Sequence, residues 1–160
     1  IDGINPFDGE QKIHTLTEFN SDVKEKSIAL RSNGTLKEIT LKNMVIYGKN
    51  HFGTICVYEE ARDVLSRYEN IEYYGPQLTY NRYGAAHYKD TTAQIGRFSG
   101  ASSPGEVGEV SAVTMEGRIR FSQVDAQSNE IFYIELQAGD IHVLEGADVE
   151  ITALSQSGFL

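Results

Sequence analysis

From Ile71 onward the chain breaks into short β-like runs at 71–74, 77–83, 92–98, 107–114, 117–124, 130–137, 141–145 and 148–154, most of them separated by Gly-containing turns. Short runs recurring every 8–12 residues or so, with turn signals between them, are the pattern of an antiparallel sandwich or barrel. The fold expectation is a β-rich α+β chain. Its C-terminal part is an antiparallel β-sandwich or is jelly-roll-like, with an N-terminal hairpin and one or two short helices before it. The 160 residues fit one folding unit. Residues 1–14 read as an extended arm or loop. Residues 15–160 read as one β-rich domain, mixed over 15–70 and mostly β over 71–160.

The helical cues lie before Ile71. Thr15 and Glu18 have the form of a capping box, with Leu16, Phe19 and Val23 at helical spacing, which predicts a short helix over 15–25. Ser32-Asn33-Gly34 stands between Ser27–Arg31 and Thr35–Leu41, and Asn-Gly between such arms predicts a hairpin. Met44–Tyr47 and Phe52–Tyr58 read as strands. Ala61, Val64, Leu65 and Tyr68 recur at i, i+3, i+4 and i+7, which predicts a helix over Glu59–Tyr68. No internal repeat and no low-complexity tract is found.

Charge narrows the partners. The net charge is −9, and residues 91–160 hold 10 acidic against 3 basic side chains. A nucleic-acid partner needs a basic face, so none is expected. No apolar run approaches the roughly 18 residues of a helical membrane span, so no membrane insertion is expected. The single Cys56 excludes an intrachain disulfide. The acidic stretch reads as a solvated surface, or as a docking face for a cation or a basic partner. No signal-peptide pattern is present. A virion or cell-surface setting is the favoured localisation.

Catalytic and cofactor signatures are absent from the sequence. The histidines His14, His51, His87 and His142 show no zinc-ligand spacing, so no metal or cofactor is expected. No nucleophile elbow and no Gly-rich phosphate loop occurs. Cys56 lies in an apolar run and reads as a buried, inert thiol. Asp140 and His142 share one face of a strand and are the best candidates for acid–base work, although an exposed pair after a turn reads equally from the residues. Carboxylate pairs such as Glu106/Glu109 and Glu130/Glu135 arise by chance in a chain with 23 acidic residues.

Tyrosine density is the most unusual local feature. Tyr68, Tyr73, Tyr74, Tyr80, Tyr83 and Tyr88 crowd into one short stretch, with Arg67, Arg82 and His87 among them. Tyrosine supplies large amphipathic contact area at small entropic cost, so it suits interfaces and ligand platforms. It is also a good strand residue that packs on a pleated sheet. The candidate interface or ligand-binding residues are Tyr73, Tyr74, Tyr80, Arg82, Tyr83 and Tyr88.

The segment LQAGDIHVLEG is similar to a strand–turn–strand of cupins, without that family's metal-binding signature. The tail EIFYIELQAGDIHVLEGADVEITALSQSGFL resembles the end of C1q/TNF-like jelly-roll head domains, through Leu136, Gly139, Asp140, Val143, Leu144, Ser157, Gly158, Phe159 and Leu160. The resemblance implies a compact trimer used as a recognition head, with a closing strand near its three-fold axis. The functional expectation is a non-enzymatic structural or recognition module of a larger oligomeric assembly, of the virion, fibre or cell-surface head type, partnered by its own copies or by other subunits. The alternatives are a carbohydrate-binding module that uses the tyrosines, with Gln77, Asn81 and Arg82 on sugar hydroxyls, and a small cupin-like or glycan-cleaving enzyme.

Overall fold

The computed structural model describes residues 37–47, 55–56, 63–75, 77–95, 106–124 and 135–154. These form nine strands: β1 (Glu38–Tyr47), β2 (Ile55–Cys56), β3 (Leu65–Gly75), β4 (Gln77–Lys89), β5 (Thr92–Ile95), β6 (Glu106–Glu116), β7 (Arg118–Val124), β8 (Glu135–Val143) and β9 (Asp148–Leu154). Every pairing is parallel, in one strongly curled sheet. This corrects the expected α+β class with its antiparallel sandwich or jelly roll.

The registers show how a parallel sheet forms without helical crossovers among the described residues. Glu38 pairs with Leu65, Leu65 with Ala85, Ala85 with Ala112, and Ala112 with Asp140. The chain therefore returns beside itself at each of these positions in turn, and each return lays a strand parallel to the last. It is wound as a coil, and each circuit rests on its neighbours. Three columns of stacked strands result. Column A holds 38–42, 65–69, 85–89, 112–116 and 140–143. Column B holds 44–47, 72–75, 92–95, 120–124 and 150–154. Column C holds 55–56, 77–81, 106–110 and 135–138.

Alternation places the core. Within β3 burial alternates residue by residue except at one position, so Ser66, Tyr68, Ile71 and Tyr73 point inward. The phase slips between Tyr68 and Ile71, where Asn70 turns the corner from column A to column B at φ 50°. The same corner in neighbouring circuits holds Asn43 (φ 57°), Asp90 (φ 46°) and Gly117 (φ 68°). Left-handed backbone favours Asn, Asp and Gly, and at Asn43, Asn70 and Asp90 it resets the pleat so that both flanking strands bury their apolar side, while the alternation keeps its phase across Gly117. The corner side chains also bond between circuits. Asn70 Nδ2 donates to Asn43 Oδ1 at 2.9 Å, and the Arg118 amide donates to Asp90 Oδ1 at 2.9 Å. Gly117 has φ 68°, and a Cβ there would crowd Asp90 Oδ1, so a side chain at this corner is strained.

Two further expectations change. The predicted helix over Glu59–Tyr68 lies partly outside the described residues, but Leu65–Tyr68 is strand. Val64 and Tyr68 are four apart, which satisfies a two-residue period as well as a helical one, and both are fully buried. The strand–turn–strand expected around Gly139-Asp140 is instead continuous β8, bending from column C to column A. The helix at 15–25, the Asn33-Gly34 turn and Ser157–Leu160 lie outside the described residues.

Candidate functional site

The coil divides the tyrosines between its inside and its outside. Tyr73 and Tyr88 are fully buried, as is Tyr68. Tyr88 stacks on Tyr68 with ring centroids 5.3 Å apart and meets Phe121 edge-on at 5.3 Å. The Thr79 hydroxyl lies 2.9 Å from both phenol oxygens, and Tyr68 Oη donates to the Leu78 carbonyl at 3.0 Å. Tyr74 is on the outer side of column B, where its hydroxyl donates to Glu72 Oε1. Tyr83 is half-buried near the corner from column C to column A. Tyr80 and Arg82 lie on β4, and their side chains lie outside the described set. The described tyrosines do not share one exposed face.

Column A carries charge on its outer side. Its registers stack Lys42, Glu69, Lys89 and Glu116, with the sign alternating from one circuit to the next. Lys89 Nζ lies 2.9 Å from Glu116 Oε1, and His87 Nε2 lies 3.0 Å from Glu116 Oε2. Arg67 reaches Glu38 at 3.3 Å and Glu69 at 3.6 Å. On column B, Arg120 reaches Asp148 at 2.6 Å and Glu150 at 3.3 Å. The Lys89 hydrogen bond holds Glu116 below its ordinary value of 4.5, and the Arg120 hydrogen bond holds Asp148 below 3.8. Carboxylates depressed by folding stabilise the fold above their ordinary range, and that contribution is lost as pH falls through their folded values. Thermal unfolding followed against pH should therefore drop below about pH 4.5, the ordinary carboxyl value of Glu116. Glu116→Gln should flatten part of that drop; an unchanged acid profile would contradict the assignment.

The two ends of the coil differ. In the first circuit the inward residues Ile39, Leu41, Met44 and Ile46 are at most 7% exposed. In the last circuit Ile141 sits over Val113, Val143 over Met115 and Ile151 over Phe121, all at inward positions. Yet Ile141 is 55%, Val143 56% and Ile151 48% exposed, and Leu144 at the corner is 41% exposed. Among the described residues β8 pairs only with β6 and β9 only with β7, so both present an open strand edge. Around this apolar row stand the exposed carboxylates Asp140, Glu145, Asp148 and Glu150. No Lys or Arg follows Arg120 in the chain.

Asp140 and His142 lie on the outer side of β8, both exposed. Among the described residues, no group of three or more His, Cys, Asp or Glu is placed to hold a metal ion. The open end was not picked out from the sequence. Its apolar residues read there as ordinary strand residues, and the only trace of it was the acidic bias of the C-terminal half.

No family model, curated protein or solved structure matches the chain.

Proposed function

We propose that this chain is a non-enzymatic structural or recognition module of a larger assembly, joined to it through the C-terminal end of its coil. The supporting observation is the uncovered row Ile141, Val143, Leu144 and Ile151, beside two open strand edges. Contiguous exposed apolar surface marks interaction sites, and an unpaired edge is a template for another strand. In the interior of the coil these positions are covered by the next circuit. Among the described residues nothing covers them at this end, which makes it the place for a partner's strand.

At low salt the surrounding carboxylates keep copies apart. In 1 M salt the screening length falls to about 3 Å, and the apolar row then drives association. Light scattering over a dilution series should show the chain associating in high salt, while Ile141→Lys/Ile151→Lys stays monomeric. Both substituted residues are exposed, so thermal unfolding of that variant should stay within about 0.5 kcal/mol of the parent. A parent chain that remains monomeric in high salt would remove the reading. So would a variant that unfolds early, because the row would then be covered within the folded chain.

A further inference from the structure

We infer that the partner seated on this end is an edge strand of a different protein, with apolar residues alternating with Lys or Arg, rather than a second copy of this chain. The inference rests on the reading of the C-terminal end as an interface.

Three observations carry it. The first is spacing. Ile141 and Val143 stand two residues apart on β8, so a strand laid along that edge with apolar residues at every second position covers both. The second is the charge pattern of the stack. Outward charges one circuit apart have opposite sign in Lys42–Glu69–Lys89–Glu116 and in Arg120–Glu150. In the last circuit Glu150 lies over Arg120 and Asp140 over Ala112, both carboxylates exposed, so a strand laid on them meets their charge with cations. Arg120 already contacts both Asp148 and Glu150 from below, while Asp140 and Glu145 stand exposed without an ion pair among the described residues.

The third observation disfavours a second copy. Its C-terminal end offers the same carboxylates and no Lys or Arg, so end-to-end docking sets like charges opposite one another, which is unfavourable. Its other end offers no matching apolar row, because the inward residues of the first circuit are buried.

The test uses three short synthetic peptides with blocked ends: alternating Val and Lys, alternating Val and Glu, and the Val/Lys composition in scrambled order. Binding is measured at low salt by fluorescence anisotropy, and its position by amide hydrogen exchange. The alternating Val/Lys peptide should bind at least tenfold more tightly than either control and slow exchange along β8 or β9. Ile141→Lys/Ile151→Lys should abolish binding, and Asp140→Lys/Glu145→Lys should shift preference to the Val/Glu peptide. Equal binding of the scrambled Lys peptide would overturn the inference, since charge alone would then explain it. A dimer at low salt that protects β8 and β9 would also overturn it, by making a second copy the occupant, while leaving the interface reading intact. Only the absence of association in high salt, or early unfolding of the Ile141→Lys/Ile151→Lys variant, removes that reading itself.

Discussion

Tyr88→Ala is expected to lower the unfolding free energy by about 3–5 kcal/mol, the range for deleting a buried aromatic side chain. Tyr88 is fully buried between Tyr68 and Phe121 and lies 2.9 Å from the Thr79 hydroxyl. It ties three circuits together, because Tyr68 lies in the circuit before it and Phe121 in the circuit after. Its removal leaves a cavity that a rigid stack of hydrogen-bonded strands cannot readily close. Such a loss is a large share of the roughly 5–15 kcal/mol that stabilises a typical domain. Chemical denaturation measures it directly. Tyr88→Phe keeps the ring and loses one hydrogen bond, so it should cost only about 1 kcal/mol. A cost below about 1 kcal/mol for the alanine variant would mean that this ring is not in the core.

The same residue has a pH signature. Burial pushes the Tyr88 phenol well above its ordinary value of 10.0, with the Thr79 hydrogen bond opposing in part. A phenol raised by folding stabilises the fold fully below the unfolded value, and that contribution is lost as pH rises above it. Thermal stability should therefore decline above about pH 10, the ordinary phenol value, and Tyr88→Phe should weaken the decline.

Gly84→Ala is expected to cost about 1–3 kcal/mol, as overpacking does when surrounding atoms cannot yield. A Cβ at position 84 would lie 2.2 Å from the Val64 carbonyl oxygen and 2.5 Å from Asn81 Oδ1. The first of these is backbone, and it already accepts the Ala85 amide at 3.2 Å and Asn81 Nδ2 at 2.7 Å. Relief requires the corner from column C to column A to move away from the circuit below. Amide exchange should then quicken around Val64–Ser66 and Ala85–Ala86. A variant as stable as its parent would show that the two circuits are not in such close contact.

Much of the strand content was legible because alternation is written in the residues. Runs such as 71–74, 92–98, 117–124 and 148–154 overlap real strands, since inward apolar and outward polar positions differ at every step. The stacked circuits were not legible. The return from Leu65 to Ala85 is shorter than those from Glu38 to Leu65, Ala85 to Ala112 and Ala112 to Asp140, so the period is not constant. Stacked positions share a conformation more than an amino acid: two Asn, one Asp and one Gly stand at Asn43, Asn70, Asp90 and Gly117. A search for repeats needs constant spacing and similar residues throughout, and this chain supplies only scattered matches such as Tyr47 with Tyr74, Tyr68 with Tyr88 and Ala85 with Ala112. The site was less legible still. Nothing local separates Tyr73 and Tyr88, which are buried, from Tyr74, which faces outward, except the phase of alternation after each corner.

The amino-acid sequence by itself determined that the chain is rich in strands, that carboxylates but no Lys or Arg follow Arg120, and which residues alternate within each run. Only the tertiary structure decided that every neighbour is parallel, that half of the candidate tyrosines described are core, and that Ile141, Val143 and Ile151 face inward with nothing above them among the described residues. Alternation specifies which side of a strand is apolar. It does not specify which strand lies beside it, or whether any strand lies there at all. That depends on where the chain returns after a whole circuit, and among the described residues the last circuit has no return.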